Sequence, residues 1–242
     1  MGEGTFFQEG QGEFRFSPYA LPGPTCTPLK RLPRRERQGF LDMVVKENLP
    51  FDFFSHHSYA SVANTLLRQD YAEKRLAEAG LSHVEIHLNE WNTNASKEER
   101  GKSVASANAA AMMCAMQNRK MDMMCYYDAR IGTTFYGGMF HPMSYEPLCT
   151  YYSFKAFGAL YALGTQIACN CDCDHVYTLA ATDGEKTGIL IANIGPDTEL
   201  SLLAAASATA YLIDEDHFMV PVSLNPKQFL LKENQVLYLE YV

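Results

Sequence analysis

The chain has 242 residues, of which 47% are hydrophobic and 20% are charged, and its formal net charge is −8. This length and composition are typical of a globular protein with one large or two smaller domains, and they exclude a disordered or fibrous chain. The acidic balance argues against a nucleic-acid partner, because binding to phosphates depends on clustered Lys and Arg.

Helical and extended patterns alternate along the first two thirds of the chain. Spaced apolar residues predict helices at 39–49, 71–80, 103–118 and 151–164, and short apolar runs predict strands at 51–59, 83–92 and 121–130. Residues 1–37 are predicted to be irregular, with "FRFSPYALPGP" as the remaining candidate for a further strand. Strands that alternate with helices indicate βαβ units and a parallel sheet, which is an α/β fold.

A different pattern follows Gly164. Strand-like segments succeed one another at short spacing, as in "HVYTLAATDGEKTGILIANIG", where two strands flank the turn "TDGEK". Without a helical pattern between them, these segments predict an antiparallel β-sandwich. We therefore expect an α/β domain at 1–165 and a β-sandwich domain at 166–242.

Three successive predicted strands end in polar and aromatic side chains. These residues are Ser55, His56, His57 and Tyr59, then Asn89, Glu90, Trp91 and Asn92, then Tyr126, Tyr127, Asp128 and Arg130. The carboxyl ends of parallel barrel strands open into the loops that form active sites. Aromatic rings beside amides and carboxylates suit a sugar, whose C–H face stacks on rings and whose hydroxyls need donors and acceptors. The pattern therefore favours carbohydrate chemistry.

The motifs "PFDFFSHHSY", "HLNEWN", "YYDAR" and "YGGMF", followed by "YYSFKAFGALYALG", carry a resemblance to a known family. In order and rough spacing they resemble glycoside hydrolases of clan A, and most of all family 39, that of β-xylosidases and α-L-iduronidases. The resemblance covers roughly residues 38–242. It implies a (β/α)8 TIM barrel, of which this chain would hold about strands 5–8, followed by a β-sandwich. It also implies a carbohydrate partner, a xyloside- or uronide-type glycoside, and no cofactor.

By the same resemblance, Glu90 takes the position of the catalytic nucleophile. A retaining glycosidase needs one ionised carboxylate to attack the anomeric carbon and one protonated carboxyl, about 5–5.5 Å away, to protonate the leaving oxygen. Donors such as Asn89 or Tyr59 would hold Glu90 in its ionised form. His57 corresponds to a histidine beside the nucleophile and the sugar hydroxyls, with a hydrogen-bonded core histidine as the alternative.

The candidates for substrate binding are His57, Tyr59, Asn89, Trp91, Tyr127 and Asp128. The rings of Trp91 and Tyr127 could form a platform for the sugar, or they could pack in the core. Asp128 could bind substrate, or it could form a structural salt bridge with Arg130.

The acid/base glutamate of the resembled family is missing from this sequence. That residue follows an Asn on the fourth strand, and no Asn-Glu-Pro-like motif occurs here. We therefore expect a fragment with a nucleophile but no acid, weak or inactive alone and completed by a missing N-terminal half or by another copy of the chain. The alternatives are a non-catalytic carbohydrate-binding or assembly module, and an unrelated α/β protein in which "HLNEWN" is accidental.

The cysteines form one compact group, Cys169, Cys171 and Cys173 in "ACNCDCDH", close to His175. A metal site is one interpretation, but zinc ligands usually come as pairs across a short turn. Reduced cysteines on one face of a strand are the preferred interpretation, so no metal is predicted. Reduced thiols, the lack of a secretory signal and the lack of a run of about 18 apolar residues predict a cytoplasmic protein without a membrane span.

Overall fold

The computed structural model describes residues 34–132, 135–202 and 208–241. The described helices are α1 (Arg34–Lys46), α2 (Val62–Glu78), α3 (Ser103–Gln117) and α4 (Cys149–Leu163). The strands among and before them are β1 (Phe53–Ser58), β2 (Glu85–Trp91) and β3 (Met123–Tyr126). The strands after α4 are β4 (Thr165–Ile167), β5 (Val176–Thr182), β6 (Thr187–Asn193), β7 (Thr198–Leu200), β8 (Ala208–Ile213), β9 (Phe218–Val222), β10 (Phe229–Leu231) and β11 (Val236–Tyr241).

The order of elements up to residue 164 agrees with the prediction, while three helix starts differ, that of α4 by only two residues. Helix α2 begins at Val62 and not at residue 71, because the side chain of Ser61 accepts a hydrogen bond from the Asn64 amide (3.3 Å) and caps the helix. Helix α1 begins at Arg34, inside the stretch predicted to be irregular. The candidate strand "FRFSPYALPGP" lies outside the described residues.

Strands β1, β2 and β3 form a parallel three-stranded sheet in that order. One face of this sheet packs on the helices through residues such as Ile86 and Leu88, which are fully buried. The other face carries exposed side chains, among them Phe53 (49% exposed) and Met123 (46%). The sheet is therefore covered on one side only within the described residues.

Helix α3 lies at the centre of the molecule. Its residues 105–107 and 109–116 are buried, and most of them are Ala or Met. Small side chains on every face of the helix let neighbouring elements approach closely. Helix α3 therefore packs against α2 and α4, and also against β5 and β6 of the second sheet.

The second sheet is antiparallel and six-stranded, in the order β4-β5-β6-β11-β8-β9. In β11 the side chains alternate between two cores. Val236 and Tyr238 join the core around α3, whereas Leu237 and Leu239 join a core that includes β10. Strands β7 and β10 pair in a two-stranded sheet next to this second core. The central strand β6 is thus buried on both faces of the sheet, which explains its nearly continuous apolar run.

The three clustered cysteines do not lie on one face of a strand, which corrects that prediction. Cys169, Cys171 and Cys173 lie in the connection between β4 and β5. The Asn and Asp residues between them favour turns because their side chains bond to nearby backbone groups. The three cysteines still pack beside the core of the six-stranded sheet. All three are free thiols in the structure.

The architecture is mixed α/β, with one parallel sheet and an antiparallel part. Across the described ranges, no helix combines the length and the apolarity that a membrane crossing requires.

Candidate active site

The three parallel strands bring their carboxyl ends to one edge of the sheet. Ser58 pairs with Trp91, and Trp91 pairs with Tyr126. The residues that follow these positions, Tyr59 and Tyr127, therefore emerge side by side. Their rings meet edge to face with centroids 6.5 Å apart.

A bulge in β2 aims Glu90 into this edge. In a regular strand Leu88 and Trp91, three positions apart, would point to opposite faces. Both lie in the core around α3, because the register shifts between Leu88 and Trp91. The shift leaves Asn89 without a pairing residue in β1 and sets Glu90 opposite His57. Bulges commonly re-aim a side chain next to an active site.

Two side chains contact the Glu90 carboxylate: His57 in β1 and Tyr59 directly after β1. The Tyr59 hydroxyl donates a hydrogen bond to Oε1, and His57 Nδ1 lies 3.3 Å from Oε2. The carboxylate stays partly open, since the Glu90 side chain is 30% exposed. Loss of solvation, followed by the hydrogen bond to Glu90 and the charge of that carboxylate, raises the pKa of Tyr59 above its ordinary value. Tyr59 therefore remains a protonated donor.

Tyr127 and Asp128 follow β3, and the peptide bond between them is cis. The Tyr127 ring is 37% exposed and borders the open side of the site. Asp128 Oδ2 lies 3.1 Å from Arg130 Nε, which is the salt bridge foreseen as an alternative role for Asp128. The other oxygen, Oδ1, is buried and has no hydrogen-bond partner within the described residues.

Trp91 lies in the core and not on the surface of the site. It is 1% exposed and packs against Tyr126 (centroids 5.0 Å apart) and Phe154 of α4 (6.0 Å). This position matches the core-packing alternative, because a buried ring offers no face to a sugar. Trp91 therefore contributes to the site indirectly, because it packs the end of β2 against helix α4.

Asn89 and Asn92 have different positions around Glu90. Asn89 is exposed at the bulge. Asn92 is buried and donates from Nδ2 to the Tyr127 carbonyl (2.7 Å), while its Oδ1 accepts from the Thr93 amide (2.7 Å). Asn92 therefore fixes the backbone that carries Tyr127. Its place directly after "HLNEW" is the sequence signal for this role.

Sequence reasoning missed Tyr136 and Arg100. The Tyr136 ring packs edge to face on Tyr127 with centroids 5.6 Å apart, and the Arg100 guanidinium lies 4.7 Å from the Tyr136 ring centroid. Both residues belong to loops that follow strands, at a distance from the strand ends. The only signal was the aromatic composition of "FYGGMF".

No group of three or more His, Cys, Asp or Glu side chains is arranged to hold a metal ion in the described ranges. What the site offers is a partly open carboxylate with a phenol and an imidazole on its two oxygens, bordered by exposed aromatic rings. Such a group can act as a nucleophile or can accept hydrogen bonds from a polyhydroxylated ligand.

Comparison with known proteins gives matches at the level of structure. No protein-family model matches the chain, and no curated protein matches it. A glucosidase from Croceicoccus marinus matches with a TM-score of 0.67 and 18% identity, over 84% of this chain and 56% of that one. A GH39 β-xylosidase from Caulobacter crescentus matches with a TM-score of 0.64 and 14% identity, over 84% and 54%.

A GH30 endoxylanase from Clostridium papyrosolvens matches with a TM-score of 0.52 and 15% identity, over 78% of this chain and 48% of that one. At such identities the shared property is the fold, which is related to the TIM barrel. The resemblance to clan A glycoside hydrolases is confirmed at this level. The chain spans about half the length of these structures, 48–56%.

Proposed function

We propose that the chain is the nucleophile-bearing part of a retaining glycoside hydrolase, with Glu90 as the nucleophile. The observation that carries the proposal is the pair of contacts on Glu90, from Tyr59 and His57, at the carboxyl edge of a parallel sheet. Solved structures of similar fold include a glucosidase and a GH39 β-xylosidase. A carboxylate held by two neighbouring side chains at this edge suits nucleophilic attack on a sugar.

In the glycosylation step, a carboxylate oxygen of Glu90 forms a bond to the anomeric carbon while the bond from that carbon to the leaving oxygen breaks. The Tyr59 hydroxyl and His57 fix the orientation of the two Glu90 oxygens before the attack. The electron pair of the broken bond stays on the leaving group, which departs as an anion unless an acid protonates it. Protonation typically contributes about 10²–10⁴-fold to the rate.

Within the described residues the partners of Glu90 are Tyr59 and His57, and neither is a carboxylic acid. We infer that another β/α portion supplies the acid, and that this chain corresponds to about strands 5–8 of a (β/α)8 barrel. The outer edges of β1 and β3 have no strand partner within the described residues, and such edges are open to pairing. On this proposal, residues 1–165 form the partial barrel and 166–242 a β-sandwich.

The proposed substrate is a xyloside- or uronide-type glycoside. Tyr127 offers an exposed ring to the C–H face of the sugar. Asn89, exposed at the bulge, is positioned to exchange hydrogen bonds with sugar hydroxyls. Asp128, at the end of the next strand, is the remaining candidate for substrate binding.

Covalent trapping tests this function. A 2-deoxy-2-fluoro xyloside with a dinitrophenolate leaving group needs no acid for departure, and its fluorine slows hydrolysis of the glycosyl-enzyme. Intact-protein mass spectrometry should show one added glycosyl group, and peptide mapping should place it on Glu90. Glu90→Gln should form no adduct, whereas the matched surface variant Glu98→Gln should react like the wild type.

Two results would contradict the assignment of Glu90 as the nucleophile. An adduct on another residue would make that residue the nucleophile. The absence of any adduct when this chain is combined with the missing β/α portion, which we call the completed protein, would contradict the retaining glycosidase mechanism. If the sugar still binds to the completed protein in that second case, the non-catalytic carbohydrate-binding module becomes the better description.

A further inference from the structure

Tyr136 packs against the tyrosines that lie beside Glu90. Its ring packs at 87° on Tyr127, with centroids 5.6 Å apart, and Tyr127 in turn meets Tyr59 edge to face. Tyr136 also lies close enough to Tyr59 to contribute to the raised pKa of that phenol, after burial and Glu90. At 39% exposure, the Tyr136 ring still offers surface to a ligand. Three tyrosines thus form one aromatic wall beside the carboxylate.

Arg100 reaches Tyr136 from the neighbouring loop. Its guanidinium lies 4.7 Å from the ring centroid, and Nη1 donates a hydrogen bond to the Tyr136 carbonyl. A cation over a tyrosine face is stabilising, and more so when it is partly removed from water. Arg100 precedes α3, whereas Tyr136 precedes α4, so the contact joins the loops that follow β2 and β3.

Glycines let these two loops pack at backbone distance. A Cβ on Gly138, which has φ +72°, would lie 2.7 Å from the Gly101 amide nitrogen, and a Cβ on Gly137 would lie 1.7 Å from the Asp128 carbonyl oxygen. The Tyr126 hydroxyl also donates to the Gly137 carbonyl. The backbone next to Tyr136 is therefore fixed on both sides, which gives its ring a defined place.

We propose that Tyr136 is a substrate-contacting residue whose ring forms the outer wall of the sugar subsite, and that Arg100 is a positioning residue that holds this ring against Tyr127. The inference rests on the proposed glycosidase function. On this inference, the aromatic wall contacts the apolar C–H face of a pyranose bound at Glu90. The contact is made in the ground state, so it governs affinity more than the rate of bond breaking.

The test measures trapping by the fluorinated xyloside as two constants, the half-saturating concentration KI and the maximal rate kinact. Tyr136→Ala should raise KI about 3- to 10-fold with little change in kinact, since a lost ring contact is worth that much. Tyr136→Phe should keep the wild-type KI within about twofold, because the ring remains.

Arg100→Met should raise KI less than Tyr136→Ala does, and Arg100→Lys should restore part of the loss by keeping a cation over the ring. The double variant with Tyr136→Ala should be no worse than Tyr136→Ala alone, because Arg100 acts through that ring. Lys155→Met is the matched control: its ammonium lies 5.9 Å from the Tyr152 ring on α4, and KI should stay unchanged.

The outcomes separate this inference from the function on which it rests. If the completed protein, with the wild-type sequence of this chain, forms no adduct, the proposed function fails first. If the wild type forms the adduct and Tyr136→Ala keeps the same KI, the proposed function stands, but Tyr136 does not contact the sugar. If Arg100→Met and Tyr136→Ala have additive effects on KI, Arg100 does not position the ring.

Discussion

At the scale of single residues, the Tyr59 hydroxyl holds the central position, because it bonds directly to the proposed nucleophile. A hydrogen bond to an ionised group contributes about 1.5–3 kcal/mol, roughly twice a neutral one. Within the site this bond fixes one Glu90 oxygen while His57 lies 3.3 Å from the other. The raised pKa of Tyr59 means that the phenol keeps its proton beyond its ordinary titration range.

Replacing Tyr59 with Phe should slow the trapping reaction on Glu90 by roughly 10- to 100-fold, which is what the loss of one charge-assisted hydrogen bond implies. The wild-type rate should show no fall as pH approaches 10, since the phenol is still protonated there. Tyr71→Phe, at an exposed tyrosine of α2, is the matched control. A Tyr59→Phe rate equal to the wild-type rate would show that the bond does not assist the attack.

At the scale of elements, strand β1 is tied to helix α2 by polar contacts on the side away from Glu90. The Ser58 hydroxyl lies 2.7 Å from the Thr65 hydroxyl and accepts a hydrogen bond from Arg68 (2.9 Å). His56 Nε2 lies 3.1 Å from Gln69 Oε1. These contacts place the end of β1, and therefore Tyr59, relative to the helix.

His56 gives this contact a dependence on pH. Burial lowers the pKa of His56 below 6.5; the charges of Arg68 and His57 add to this, and the Gln69 hydrogen bond opposes it. The unfolded chain therefore binds the proton more readily, and the free energy of unfolding should fall as pH drops below about 6.5. Denaturant unfolding between pH 7.5 and 5 should show a smaller loss for His56→Gln than for the wild type. Equal pH dependence in the two proteins would contradict this account.

The strand ends could be read from the sequence, because Glu90, His57 and Tyr59 follow apolar residues of predicted strands within a few positions. The bulge at Asn89 also has a sequence signal, because the apolar residues Leu88 and Trp91 are three positions apart and break the two-residue alternation of a regular strand. Tyr136 and Arg100 could not be found this way: both lie in irregular loops, and their contact depends on the close approach of Gly101 and Gly138. The burial of Trp91 depends on Phe154 of α4, which is distant in sequence.

At the scale of the whole molecule, one hydrophobic core joins the parallel sheet to the antiparallel one. The core around α3 contains Leu88 and Trp91 of β2 together with Leu190 of β6 and Val236 of β11. Interfaces that are large and apolar hold domains in a fixed relation. The proposed boundary near residue 165 therefore separates two segments of chain that share a core.

This shared core predicts cooperative unfolding. Leu190 is fully buried on the face of β6 toward the helices, and Leu190→Ala should lower the free energy of unfolding by about 2–5 kcal/mol. Hydrogen exchange should then accelerate in β2 as much as in β11, although the substitution lies in β6. Leu230→Ala, at a side chain 51% exposed on β10, should change stability by less than about 0.5 kcal/mol. Faster exchange confined to residues after 165, or two separate unfolding transitions, would mean that the two segments are independent domains. In that case contacts other than those with the six-stranded sheet would stabilise the parallel sheet that carries Glu90.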